Sequence, residues 1–307
     1  MANIFTASYD ANTIPVSEMV KDPTFIPEQT LEYLDGSFLE NLLFRDGGSN
    51  AGAVAYREAA APFLMHDAEN VAEGAEIPVA GLQIGEAKTA IAQKNALAIR
   101  VSLEMIRRNS VDMVTKQQTA LQNTMVSTGV KATLNAFNSA PIQTLAASAA
   151  WGAQGSDPVK DVLDAVELVQ GATADRSGVE GLFNYNPSHL VLHPKKLTAL
   201  LRNEQVQRFY VGDNAADNPV YRGVQNVSLF GLTVATSRWM NPEDVYVLES
   251  GVAGFISTEM PLQMTPLYEE GGASGSGGPQ QTWRTDAFRS RVIAVDNPKA
   301  VVKITGA

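Results

Sequence analysis

Apolar positions near helical spacing open the readable part of the chain. In "PEQTLEYLDGSFLENLLF", Leu31, Leu34, Phe38, Leu42 and Leu43 fall close to i, i+3, i+4 and predict a small core-facing helix, weakened at Gly36. Pro15, Pro23 and Pro27 forbid a long helix before residue 28, so the preceding segment reads as an extended arm that must lie on something to be ordered. The clearest helix lies in "RNSVDMVTKQQTALQNTMVSTGVKATLNAFNSA" and is predicted to start at Asn109 or Ser110, with Asp112 in its first turn. Val111, Val114, Leu121 and Met125 form its apolar stripe, extended or flanked by Val126, Val130, Leu134 and Phe137. At ~1.5 Å per residue it runs on the order of 40 Å, the length of a spine.

Residues 45–98 alternate instead. "DGGSNAGAVAYREAA" starts with a turn cluster and goes on as a strand, and Leu97, Ile99 and Val101 alternate with Ala98 and Arg100. Between them lies "NVAEGAEIPVAG", Asn70 to Gly81, acidic and rich in Gly and Ala. The pattern predicts a long two-stranded excursion with a Gly-Pro-acidic tip, too thin in apolar residues to stabilise itself.

Asp157 and Pro158 announce a second helix, "PVKDVLDAVELVQGATA", with Val159, Val162, Leu163, Val166 and Val169 on its buried side. "NPSHLVLHP" reads as a short buried strand and "KKLTALLRNEQVQRF" as a helix. "GLTVATSRWM", "DVYVLES" and "VAGFISTEMPLQMTP" read as strands, "EEGGASGSGGPQQ" as a flexible loop, and "TWRTDAFRSRVIAVDNPKAVVKIT" as two closing strands. The mixture predicts an α+β protein with a central α/β portion and no internal repeat.

Composition narrows the function. The 307 residues suffice for one elaborate domain or two plain ones, and 45% hydrophobic with 18% charged residues is the profile of a folded protein. A net charge of −10 argues against broad binding to nucleic-acid phosphates. The pairs Arg107–Arg108 and Lys195–Lys196 read as solvated faces. Without cysteine there is no disulfide, thiolate nucleophile or Cys-based zinc site. No signal peptide or membrane-length apolar run is visible, so the chain is expected to be made and kept in a cytosol.

Nothing in the sequence rises to a catalytic motif. His189 and His193 are four apart on a predicted strand, but no carboxylate is interleaved and no HExxH occurs; His66 stands alone. GxSxG is absent. The loop from Gly271 to Pro279 matches neither GxGxxG nor GxxxxGK. Glu269 and Glu270 are adjacent, so on a strand they point to opposite faces. No cofactor and no metal site are expected.

The order of these parts resembles the major capsid proteins of tailed bacteriophages, the Hong Kong 97-type fold. The resemblance rests on the arm, the return carrying "EGAEIP", then "KTAIAQKNALAIRVSLEMIRRN", then the spine helix. "SHLVLHPKKLTALL", "GLTVATSRWMNPEDVYVLES" and "FRSRVIAVDNPKAVVKI" carry it through the second half. The resemblance implies an N-terminal arm at 1–44 and an extension loop at 45–98 lying across a neighbour. It implies a peripheral domain with the spine at 99–150 and 256–295, and an axial domain at 151–255 and 296–307. It also implies hexamers and pentamers of this chain around double-stranded DNA, bound without sequence specificity, in a virion assembled in the host bacterial cytoplasm. A portal and a decoration protein are further partners it suggests, and no membrane is involved. Glu73, Gly74, Glu76, Pro78, Lys88, Lys94, Glu269 and Glu270 become candidate contacts between subunits.

Two departures follow. Some members carry a helical scaffolding segment at the N-terminus, whereas this chain starts at Met1 with arm-like sequence, so a separate scaffolding protein is expected. Some members join subunits by a Lys–Asn isopeptide bond; Lys88 and Lys94 are present, but 269–281 holds no Asn, so no crosslink is expected. An encapsulin-type compartment shell is the neighbouring alternative, and a soluble enzyme, supported only by the histidine pair, is a third.

Overall fold

The protein is described from a computed structural model covering residues 14–34, 36–60, 63–64, 66, 68–82, 84–153, 155–174, 181–204, 206, 228–272 and 274–307. Its axis is α5 (Val111–Ser139), 29 residues and so about 43 Å long. Val114, Leu121, Met125, Val130 and Phe137 are buried along one side. Thr115, Thr119, Thr124, Thr128 and Thr133 each turn their hydroxyl back to the carbonyl four residues earlier, so these threonines are paired within the helix itself.

Ser110 holds the predicted cap position without a side-chain capping bond. Asn109 instead takes a left-handed backbone (φ 49°), and its Oδ1 accepts from the Val16 amide at 2.9 Å. The start of the spine thereby ties down α1 (Val16–Lys21). A short α4 (Leu103–Arg107), capped by Ser102 accepting from the Met105 amide, precedes it.

Two sheets flank the spine. The five-stranded sheet holds β1 (Arg45–Ser49), β4 (Gln93–Ser102), β12 (Phe255–Met264), β13 (Tyr268–Glu269) and β14 (Thr282–Ala294). β14 pairs with β12 and β13 on one side and with all ten residues of β4 on the other. The six-stranded sheet has the order β5 (Gln143–Ala146), β15 (Val301–Thr305), β11 (Asp244–Leu248), β8 (His189–Leu192), β10 (Leu232–Thr236) and β9 (Ser228–Leu229). A 3-10 turn, Pro298–Ala300, leads into β15. A two-residue pair, β6 (Thr173–Ala174) and β7 (Gly181–Leu182), lies apart.

Strand alternation gives the six-stranded sheet two cores. Val245 and Val247 pack with α6 (Pro158–Gln170) and α7 (Pro194–Arg202) through Val162, Val169, Leu197 and Leu200. Tyr246 and Leu248 face the far end of the spine, where the Phe137 ring lies 5.4 Å from Tyr246 and 5.3 Å from Phe44. The near end of the spine packs on the other sheet through Leu121, Ile99, Val101 and Ala287. One helix therefore joins both cores.

α6 begins where the sequence announces it: the Asp157 carboxylate accepts from the Lys160 amide at 3.0 Å and Pro158 fills the first turn. Leu163, expected on the buried side, is exposed. His193 is not on the strand with His189. It caps α7, its Nδ1 accepting from the Lys195 amide at 3.1 Å. α7 ends at Arg202, where Asn203 turns to an extended backbone, short of the predicted helix over 195–209; residues 205 and 207–209 lie outside the described residues.

Residues 14–44 correct the extended-arm reading. They form α1, α2 (Phe25–Leu34) and α3 (Leu39–Leu43), with Val16, Ile26, Leu34 and Leu43 buried in the chain's own core. Pro27 sits in the first turn of α2, where a missing N–H costs no helical bond. The predicted single helix over 28–43 is two, parted at Gly36 (φ 71°). The part of the arm before residue 14 lies outside the described residues.

Beneath α3 lies an ionic cluster that the sequence does not announce. Glu40 Oε1 accepts from Arg289 Nη1 at 3.0 Å and from Arg291 Nη1, all three side chains being buried. Phe38 stacks on the Arg289 guanidinium, 3.9 Å from ring centroid to Cζ. A side chain at Gly129 of the spine would meet Arg289 Nη2 and Glu40 Oε2, each at 2.9 Å.

Candidate assembly surfaces

The excursion over 45–98 is a shorter ribbon than its pattern suggests. β1 is built into the five-stranded sheet, parallel to β12. Only β2 (Ala53–Arg57) and β3 (Ala87–Ile91) form the free two-stranded ribbon, anchored by Val54 and Tyr56 on Phe255 and Val292. β4, with residues 93–98, lies in the five-stranded sheet, and β5 lies in the six-stranded one. The structural boundaries thus fall near 92 and 140 rather than at 98 and 150.

Between the two ribbon strands, residues 58–86 project. None of the described residues in that span is buried. Among the described residues of the span, a bridge joins Leu64 and Leu82, and at its base the Glu58 amide donates to Glu86 at 3.0 Å and the Ala59 amide to Asp296 at 2.8 Å. The stretch carrying "EGAEIP" is therefore not a strand. Glu73 and Gly74 form a turn, closed by the Ala75 amide donating to Ala72 at 3.0 Å. Gly74 has φ 81°, a conformation that strains other residues. Glu73, Glu76 and Pro78 are exposed. Val79 is 94% exposed and Ile77 76%, values that no aliphatic side chain holds cheaply in water.

The two candidate lysines differ in setting. Lys88 on β3 donates to Glu58 across the ribbon, and that bond holds its pKa above the ordinary value. The Lys94 ammonium on β4 lies 5.0 Å from the Phe288 ring centroid.

Glu269 and Glu270 are both engaged within the chain. Glu269 accepts from the Ser274 amide, from the Ser274 hydroxyl at 3.0 Å and from the Gly275 amide at 3.1 Å. Donation from the Ser274 amide, first of all, pulls its carboxyl below the ordinary 4.5. Ser274 Oγ accepts in turn from the Ser276 and Gly278 amides. The glycine-rich loop, read from composition as flexible, is thus organised around one carboxylate. Glu270 accepts from Arg100 Nη2 at 2.6 Å and Arg284 Nη1 at 3.4 Å; the Arg100 bond, first, lowers its pKa. These bonds lock β13 to β14 and β4 within one subunit.

Among the described residues, no group of three His or carboxylate side chains is placed to hold a metal, and no helix is long and apolar enough to cross a membrane. His189 Nδ1 pairs with the Ser188 hydroxyl at 2.9 Å, and burial lowers its pKa.

A family model described as phage capsid protein matches residues 42–304. Among solved structures, the virus-like particle protein from Pyrococcus furiosus is similar at a TM-score of 0.57 and 12% identity, covering 91% of this chain and 97% of that one. The capsid of a native GTA particle has a TM-score of 0.57 and 14% identity, covering 86% and 88%. A structure from Mycobacterium phage Adephagia has a TM-score of 0.53 and 15% identity, covering 85% and 87%. At such identities the likeness is one of fold. No curated protein sequence matches the chain.

Proposed function

The chain belongs to the phage capsid protein family, with the Hong Kong 97-type fold, and from that premise we propose that it is the major shell protein of a tailed-phage virion. In this reading copies of the chain form hexamers and pentamers that close into an icosahedral shell around double-stranded DNA. The acidic balance suits that task, because a strongly basic lining would hold the genome and oppose its release. A separate scaffolding protein, a portal and a decoration protein belong to the same reading, as does assembly in the host cytoplasm. The chain then has no catalytic role.

The observation that carries the reading is the projection at 58–86. Its ordering and its exposed Ile77 and Val79 gain nothing within one subunit, and contact with another copy supplies the missing burial. The five-stranded sheet with the spine corresponds to the peripheral domain, and the six-stranded sheet with α6 and α7 to the axial domain. Electron microscopy of the purified protein, alone and with a candidate scaffold, tests this. Closed particles are the expected result; monomers or dimers under every condition would sink it.

The likeness to the Pyrococcus furiosus virus-like particle supports a second reading, a compartment shell enclosing protein cargo. Particles from the native source that hold nuclease-protected DNA favour the virion, and particles filled with an enzyme favour the compartment.

A further inference from the structure

The buried cluster of Glu40, Arg289 and Arg291 is short of acceptors. A guanidinium carries five N–H donors and accepts nothing. Arg289 and Arg291 both direct Nη1 to the same oxygen, Glu40 Oε1. Arg289 Nε, Arg289 Nη2 and Arg291 Nη2 are buried and meet no acceptor among the described residues. Glu40 Oε2 is also without a donor and lies near Arg289 Nη2, both being 2.9 Å from where a Gly129 Cβ would stand. Pairing those two would still leave two nitrogens over, and one positive charge without its opposite. Buried guanidiniums need both an opposite charge and acceptors for their donors.

The same two arginines form part of the wall of a pocket of about 530 Å³. It lies between α2 and α3 on one side and β12 and β14 on the other. Arg289 and Arg291 are two apart on β14, so they present to one face. The polar lining is completed by Glu32, Asn41 and Thr258, and the rest is apolar. Glu32 is the only carboxylate in that lining; it is exposed and bonds to neither arginine. An apolar wall strengthens any charge-assisted hydrogen bond made beside it. The arginine side chains are 5% and 8% exposed, too recessed for the backbone of a nucleic-acid duplex but within reach of a free ion.

We propose that this pocket binds a small tetrahedral oxyanion, phosphate or a group of its shape, on the guanidiniums of Arg289 and Arg291. The oxyanion supplies the missing negative charge and accepts from the donors that Glu40 leaves, in the fork geometry a guanidinium offers. Held there, it fastens α2 and α3 to β12 and β14. The site is independent of the shell reading and stands whether the chain encloses DNA or protein.

The test titrates the full chain with sodium phosphate by calorimetry, against sodium chloride at equal ionic strength, and follows the arginine side-chain N–H signals by ¹H–¹⁵N NMR. The expected result is one saturable site with a Kd of about 1 mM or tighter, together with shifts in the signals of Arg289 and Arg291. No saturable heat, or heat with those two arginines unmoved, would overturn the proposal. Asn41→Asp puts a carboxylate into the lining and should weaken phosphate binding about tenfold while the circular dichroism stays that of the parent. Glu32→Gln removes the lining carboxylate and should tighten binding about threefold. Unchanged affinity in both variants would assign the heat to another site and overturn the proposal. Short duplex DNA at the same phosphate concentration should leave both arginines unmoved; equal shifts would overturn the free-ion assignment in favour of the nucleic-acid backbone.

Discussion

Glu40 and Arg291, 251 residues apart in the chain, meet as a buried ion pair between α3 and β14, with Arg289 on the same carboxylate oxygen. Burial pushes both arginines down to about 10, so the single carboxylate offsets only part of their desolvation. Removing it leaves two buried cations. Glu40→Ala should cost about 3–5 kcal/mol in urea unfolding of the subunit, whereas the triple change Glu40→Leu, Arg289→Met, Arg291→Met should recover most of that loss. Equal destabilisation by both variants would contradict this account.

Gly129 reverses an ordinary expectation. Glycine within a helix normally costs about 1 kcal/mol relative to alanine, so Gly129→Ala should stabilise on propensity alone. Here the added Cβ would sit 2.9 Å from both Arg289 Nη2 and Glu40 Oε2. The substitution should therefore lower the melting temperature, and a rise would show that the ionic cluster shifts freely.

Glu269 orders its loop through amide donors, so the order should depend on its ionisation. With the folded pKa below the ordinary 4.5, this contribution is present above pH 4.5 and lost as pH falls through the lower folded value. The amide resonances of Ser274 and Gly275 should report that titration. Glu269→Gln should raise proteolytic cleavage within 271–281 at neutral pH, and an unchanged cleavage rate would assign the order to the glycine turns instead.

Deleting residues 70–81 removes nothing buried. The shortened chain should remain soluble, with helix content and melting temperature near those of the parent, and fail to form stable shells by electron microscopy. Loss of the subunit fold would place these residues in its own core.

Lys88 is held by Glu58 within its own ribbon, and the loop at 269–281 contains no asparagine. Purified particles should run as one monomer band on a reducing denaturing gel. A ladder of multimers would reveal covalent joining.

How much of this was legible depended on where each determinant lay. α6 was legible because Asp157 and Pro158 act on the turn that follows them. β14 was legible because its run is bounded by the glycine-rich loop before it and by Asn297–Pro298 after it. Leu163 misled because a valine-rich helix offers more apolar positions than one face can bury. The histidine pair misled because Pro194 turns the chain into a helix directly after His193. The acidic projection could be read from its charge and thin apolar supply, but the open edge of β4 could not. That edge exists only because β14 pairs with β4 on one side and nothing described pairs on the other.

The sequence by itself determined the spine, the alternating strands, the acidic projection and the absence of a catalytic motif, since periodicity, capping and net charge are properties of neighbouring residues. The tertiary structure alone decided that residues 14–27 pack into the core and that Glu40 meets Arg289 and Arg291 beside Gly129. Each of these depends on groups brought together from distant parts of the chain, and burial, not local pattern, sets the strength of such contacts.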